Sequence, residues 1–132
     1  MIEFSFKEKD FLNSIEEARM ATVHENIPHV KPVSFVFNEN CIIVATDYDT
    51  RSFKNIKVNS KIAITIDIYK SGEHKAICIQ GDTEIIEKGD EFKKLYDIFH
   101  AKFEWVRKDP WKEEEAPFLK IIPKNKVSWG IN

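Results

Sequence analysis

The sequence predicts a mainly β domain of five to seven antiparallel strands with helices on its flanks, and three observations carry that reading. Residues 61–69 alternate strictly, with Ile62, Ile64, Ile66 and Ile68 on one face and Ala63, Thr65, Asp67 and Tyr69 on the other. That period of two marks a strand with one buried face. Cys41-Ile-Ile-Val-Ala45 is short, β-branched and uncharged, which favours a buried strand over a helix. The connections between such runs are short and hold Asn, Gly or Pro, the residues that reverse a chain between antiparallel neighbours.

Taken in order, Ser5-Phe-Lys-Glu8 has the spacing of a capping box, in which the hydroxyl accepts a backbone N–H and the carboxylate reaches back. A helix to about Ala18 follows, with Phe11, Leu12, Ile15 and Ala18 on its apolar side and Lys7, Lys9, Glu16 and Glu17 facing out. It should cover one end of a barrel. Arg19–His24 and His29–Phe37 are predicted as paired strands around Glu25-Asn-Ile-Pro28, and Asn38-Glu-Asn40 makes the next turn. The chain has only 4 Gly, so Asn is expected to supply the turn geometry.

After the Cys41 strand, Asp49 and Thr50 are both N-cap types, and Phe53 and Ile56 follow at the spacing of a short helix. The 61–69 strand comes next; its small and polar face suits solvent or an oligomer interface. Lys70–Lys75 reverses the chain into a long strand, Ala76–Ile86, where Gly81 marks a bulge or a close backbone approach. Asp90 is placed to cap a further helix. Its stripe of Phe92, Leu95, Tyr96, Phe99 and Phe103 reads as packing, because a helix needs a buried face to be stable. Residues 108–117 form a polar loop in which Glu113–Glu115 is a solvated turn. Phe118–Ile122 and Lys126–Trp129 close the sheet as two short strands about Pro123.

Composition narrows the function classes. A chain of 132 residues suits a single domain spanning 1–132. Lys and Arg number 20 against 22 Asp and Glu, so no net basic field is available to attract nucleic acid. The first ten residues lack the apolar core of a signal peptide, and no run approaches the roughly 20 apolar residues of a membrane span. The expectation is a soluble, cytoplasmic protein with neither nucleic-acid nor membrane partners. Cys41 and Cys78 are far apart and read as buried free thiols. His24, His29, His74 and His100 are scattered, which gives no metal site. Neither a Gly-rich phosphate loop nor a Gly-x-Ser-x-Gly elbow occurs. No nucleophile announces itself.

One stretch does carry chemistry. A helix starting near Thr50 exposes backbone N–H groups and a partial positive charge, and Arg51, Ser52 and Lys54 add two cations and a hydroxyl. Those are the ingredients of a phosphate pocket.

The order of Arg19-Met-Ala-Thr-Val23, Pro28-His-Val-Lys-Pro-Val-Ser-Phe35, Ile43-Val-Ala-Thr46, Arg51, Asn55-Ile-Lys-Val-Asn59 and Gly81 resembles the pyridoxamine 5'-phosphate oxidase-like family. The resemblance runs from about Phe11 to Trp129 and implies an antiparallel split β-barrel of the FMN-binding type. In relatives a basic pair stands where this chain has Arg51-Ser52, so Lys54 is expected to replace the second cation. The resemblance places Arg51, Ser52 and Lys54 at the FMN phosphate, Ala45 and Thr46 beside the ribityl chain or ring, and Lys31, Pro32, Val33 and Ser34 along the isoalloxazine. It also implies a homodimer with the cofactor at its seam, to which the partner contributes Trp129 and Ala76 or Gln80.

The implied function is that of an FMN-binding, flavin-dependent oxidoreductase or reductase that takes hydride from a nicotinamide and passes it to a small-molecule substrate. Val127-Ser-Trp-Gly-Ile-Asn132 lacks the Arg- and His-containing substrate motif of the pyridoxamine phosphate oxidases proper. Vitamin B6 is therefore not the expected substrate. Two alternatives stay open. One is a deazaflavin-dependent reductase of the same fold, with Lys31, Arg51, Lys54 and Lys57 around a longer acidic tail. The other is a non-catalytic module that holds a flavin, or a haem ligated through His24 or His29.

Overall fold

A computed structural model describes residues 2–131. The elements run α1 (Phe6–Ser14), β1 (Glu17–His24), β2 (Ile27–Asn38), β3 (Cys41–Ala45), α2 (Arg51–Val58), β4 (Lys61–Lys70), β5 (Glu73–Ile86), α3 (Gly89–Lys102), α4 (Glu104–Lys108) and β6 (Phe118–Trp129). The strands are antiparallel and close a barrel in the order β1-β2-β3-β6-β5-β4. Among the described residues, no helix is long and apolar enough to cross a membrane.

The β1–β2 and β2–β3 connections are two-residue hairpins. Glu25 and Asn26 stand at φ 50 and 65, and Glu39 and Asn40 at φ 50 and 62. Two positive φ values in succession match the twist of the flanking strands. The first turn is tighter than the sequence suggests, for Ile27 and Pro28 already belong to β2, with Pro28 opposite Val23.

Three further expectations change. Helix α1 stops at Ser14, whose hydroxyl donates to Phe11 O at 2.7 Å, and Ile15 is already extended. Ala18 is thus a buried residue of β1 instead of the last on a helical face, because pairing with β2 captures the chain from Glu17 onward. Helix α3 begins after Lys88, which offers no side-chain cap, and Asp90 lies in its first turn. Finally, β6 is one continuous strand through Pro123. A bulge at Gln80/Gly81 sets Gly81 opposite Pro123 and Gln80 opposite Asn125, leaving the ladder irregular where proline has no N–H to give.

Apolar alternation builds two cores. Met20, Phe35, Ile42, Val44, Ile64, Ile66, Ile77, Ile79, Leu119 and Ile121 fill the barrel. Helix α1 covers one end with Phe11 and Leu12, and α2 the other with Phe53 and Ile56. Outside the wall of β2, β3 and β6, Phe92, Leu95, Phe99, Phe103 and Val106 pack on Val36, Cys41, Ile43 and Phe118. Strand β3 is buried on both faces, which explains why it reads as an unbroken apolar run. Lys102 closes α3 onto the barrel: Nζ donates to Ile15 O at 2.7 Å and Phe35 O at 3.0 Å and lies 4.6 Å from the Phe35 ring centre. Burial holds its ammonium below the ordinary lysine range.

The capping box is as expected, with Glu8 N donating to Ser5 Oγ at 3.1 Å and Ser5 N to Glu8 Oε1 at 2.8 Å. The same carboxylate also pairs with Lys126 and accepts from Ser128 Oγ at 2.9 Å, which fastens α1 to β6. Burial alone would raise its pKa, but the bonds from Lys126, Ser5 and Ser128 outweigh burial and leave it lowered. A carboxyl lowered on folding stabilises above its unfolded pKa, and that contribution disappears as pH falls through the folded value. Glu8→Gln should therefore lower the melting temperature at neutral pH and flatten its fall between roughly pH 5 and 3. Melting curves across that range test it.

Gly81 marks a close approach in the wall, for a Cβ there would meet Ile122 O at 2.4 Å. Backbone cannot yield as a flexible side chain does. Gly81→Ala should cost about 1–3 kcal/mol in urea unfolding, as overpacking of a well-filled site does.

Candidate functional site

The site grows from the start of α2. Thr50 is its N-cap: Oγ1 accepts from Phe53 N at 3.2 Å and donates to Asp47 O at 3.0 Å. Having one proton, already given to Asp47, it must receive the Thr46 hydroxyl at 3.0 Å as a donor. Its first turn carries no acidic residue, so the partial positive charge of the helix start is not neutralised from within. Tyr48, in the loop between, packs edge-on against Phe53 at 5.0 Å. Burial, with the Glu87 carboxylate beside it, pushes its phenol up to about 12.

A buried bond from Asn55 Nδ2 to Thr22 Oγ1, 3.0 Å long, pins α2 to β1. Arg51 lies one turn before Asn55, so both face the β1–β2 hairpin. There His24, Ile27, Pro28, His29, Arg51 and Asn55 line a hollow of about 300 Å³. A guanidinium, an amide and two imidazoles thus share one opening, an arrangement suited to an anion.

The other residues marked by the sequence are dispersed. Ser52 is fully buried, and its Oγ has no hydrogen-bond partner among the described residues. Lys54 is exposed on α2 and does not line this hollow. Val33 commits its side chain to the barrel core and its backbone to the ladder opposite Ala18. Lys31 shares its strand face with Val33, and Pro32 and Ser34 take the opposite face. Ala45 and Thr46 line a separate hollow of about 250 Å³ with Trp105 and Trp111. Trp129 pairs with Ala76 toward the end of the barrel that α1 covers.

Thr22, His29 and Asn55 were not marked as phosphate contacts. The available signal was spacing: Asn55 is four residues after Arg51, and Thr22 shares the inward parity of Met20.

Strand β1 is bonded to β4 over three positions only, Arg19, Ala21 and Met20 between them. Where that pairing stops, a hollow of about 460 Å³ opens on the outer wall, bordered by Ala21, Val23, Ala63, Gln80 and Asn125. No helix covers this face, where Val127 and Trp129 remain 64% and 44% exposed. Among the described residues, no group of three or more His, Cys, Asp or Glu side chains is placed to hold a metal ion.

Residues 6–126 match the sequence profile of the pyridoxamine 5'-phosphate oxidase family. The chain belongs to this family. A search of curated proteins finds no match. Among solved structures, it is similar to the haem storage protein HutZ of Vibrio cholerae, with TM-score 0.81 and 15% identity over 96% of this chain and 94% of that one. It is also similar to a FAD-binding protein of Mesorhizobium loti, with TM-score 0.78 and 14% identity over 95% and 94% of the two chains. A FAD-binding protein of Mycobacterium smegmatis follows, with TM-score 0.69 and 14% identity over 95% and 93%. At such identities the likeness is one of fold, and the fold is the antiparallel split barrel that the family resemblance implies.

The orphaned Ser52 hydroxyl yields a test of its own. Removing a buried hydroxyl that has no partner costs little, so Ser52→Ala should leave stability unchanged or raise it by up to about 1 kcal/mol. A clear loss in denaturant titration would mean that the hydroxyl is bonded.

Proposed function

We propose that the protein binds FMN and works as a flavin-dependent oxidoreductase or reductase. The observation that carries this reading is the hollow at the start of α2, where Arg51, His29 and Asn55 meet a helix N-terminus free of first-turn carboxylates. These residues fit a phosphate: a guanidinium can bond it in a fork, and the helix start favours negative charge. Lys54 adds charge from the exposed side of α2 and Lys31 from β2. Ser52 is enclosed beneath the helix, its Oγ without a hydrogen-bond partner among the described residues.

A hollow of 300 Å³ is at the lower limit for a ligand pocket and leaves the ring to be held elsewhere. In this reading the isoalloxazine follows β2 past Val33, against the outward residues Pro32 and Ser34. Ala45 and Thr46 act from behind, through the Thr46–Thr50 hydroxyl pair that sets the helix start. The uncovered outer face, with Val30, Val127 and Trp129 exposed, is where a second copy would exclude water and bring Trp129, Ala76 or Gln80 to the seam. The flavin would supply the redox chemistry, accepting hydride from a nicotinamide and passing it to a small-molecule acceptor, while the protein binds and orients it. The FAD-binding proteins that share this fold support a flavin as the cofactor.

A second reading is favoured by one observation: His24 and His29 line the same hollow, and the haem storage protein shares the fold. A haem held there would take an imidazole as axial ligand.

Absorbance titration with FMN, a deazaflavin and haemin separates these readings. FMN should bind, and Arg51→Ala should weaken it roughly tenfold to 150-fold, the loss of one charge-assisted contact. Unchanged affinity would remove Arg51 from the site, and a monomer in sedimentation that binds equally well would remove the seam. Preference for haemin, with a Soret band lost in His24→Ala or His29→Ala, would replace the flavin by haem.

A further inference from the structure

A second hollow, lying between the end of β3 and α4, has the opposite character. Thr46 N donates to Pro117 O at 3.4 Å, Asp109 N to Trp105 O at 3.0 Å and Trp111 N to the Tyr96 hydroxyl at 3.3 Å, so the segment after α3 is folded back over the strand end. The space enclosed is about 250 Å³. Its walls carry two indoles, Trp105 and Trp111, lying parallel within 5° with ring centres 6.0 Å apart. Trp105 is 42% exposed at the opening. Three carboxylates, those of Asp47, Asp109 and Glu115, complete the lining, and no Lys, Arg or His is part of it.

Two nearby cations are engaged elsewhere. Lys108 pairs with Glu104 at 3.2 Å, and Arg107 donates to the His100 and Ala101 carbonyls at the end of α3. Glu115 accepts from Lys112 N at 2.6 Å, whereas the Asp47 and Asp109 carboxylates have no ion pair or hydrogen bond among the described residues. The three acids do not converge as metal ligands do. They surround a space that takes several heavy atoms, beside aromatic faces that attract positive charge.

We propose that this hollow binds an organic ammonium ion, its charge set against the indole faces and the Asp47 and Asp109 carboxylates. An inorganic cation has no converging ligands here, and an anion such as a flavin phosphate would be repelled. The alkyl part of the ion rests on Pro110 and Ala116. The site stands independently of the flavin reading.

Tryptophan fluorescence tests it, with Trp129→Phe as the background so that the signal comes from Trp105 and Trp111. Choline and n-butylammonium are the probes, and 3,3-dimethylbutan-1-ol is the uncharged counterpart of choline. At least one ammonium should shift the emission saturably, with the alcohol roughly tenfold weaker. The stronger of the two ammonium ions then tells quaternary from primary amine. Asp47→Asn with Asp109→Asn should weaken binding several-fold at unchanged melting temperature, and Trp105→Ala should weaken it as well. No saturable shift with either ammonium, or equal binding of the alcohol, would overturn the proposal.

Discussion

Closure of the barrel is the constraint on which everything else rests. Strand β6 pairs with β3 through Phe118–Ile121 and with β5 along its whole length, so it joins the two halves of the sheet at one seam, as the β1–β4 pairing does at the other. It can do so only because the β5 backbone approaches Ile122 at a residue with no side chain and the ladder skips one position beside Pro123. Without β6, β3 would become an edge strand with a row of unpaired N–H and C=O groups. Helix α2, and with it Arg51, takes its position from a floor that closure creates.

Helix α3 has a complementary effect. By covering the wall of β2, β3 and β6 it leaves β1, β4, β5 and the far half of β6 bare on the outside. The protein is thus two-sided: one wall is finished by the chain itself, and the other carries Ala21, Ala63 and Thr65 among exposed Val127 and Trp129. Between the walls, a short loop of threonines separates two hollows of opposite charge. Thr46 lines the acidic one, and its hydroxyl bonds Thr50, the cap of the helix that presents Arg51 to the basic one.

Much of this was legible in the sequence because local chemistry and tertiary demand agree. The alternation of Ile62, Ile64 and Ile66, the Ser5–Glu8 box, the Asn turns and the Gly81 bulge all rest on one or two residues whose requirements context does not alter. The errors arise where partners distant in sequence decide. Ala18 has the spacing of a helical face and also the parity of a strand, and β2 settles the matter. Pro123 reads as a break until pairing with β5 carries the strand past it, with Lys124 left unpaired in the register. Ser52 has the right chemistry for an anion, but the burial of its neighbours Phe53 and Ile56 turns it inward. The acidic hollow could not be read at all, since Asp47, Trp105 and Glu115 meet only through the fold-back after α3.

The hairpin tips have a consequence for how much heat the fold could tolerate. Glu25 and Glu39 occupy left-handed backbone, a conformation that disfavours side chains with a Cβ by roughly 1–2 kcal/mol per residue. Asparagine or glycine would hold the same geometry more comfortably. Glu25 reaches His24 at the rim of the basic hollow at 3.5 Å, whereas Glu39 borders neither of the two hollows, so the strain at Glu39 is thermal headroom that the protein leaves unused.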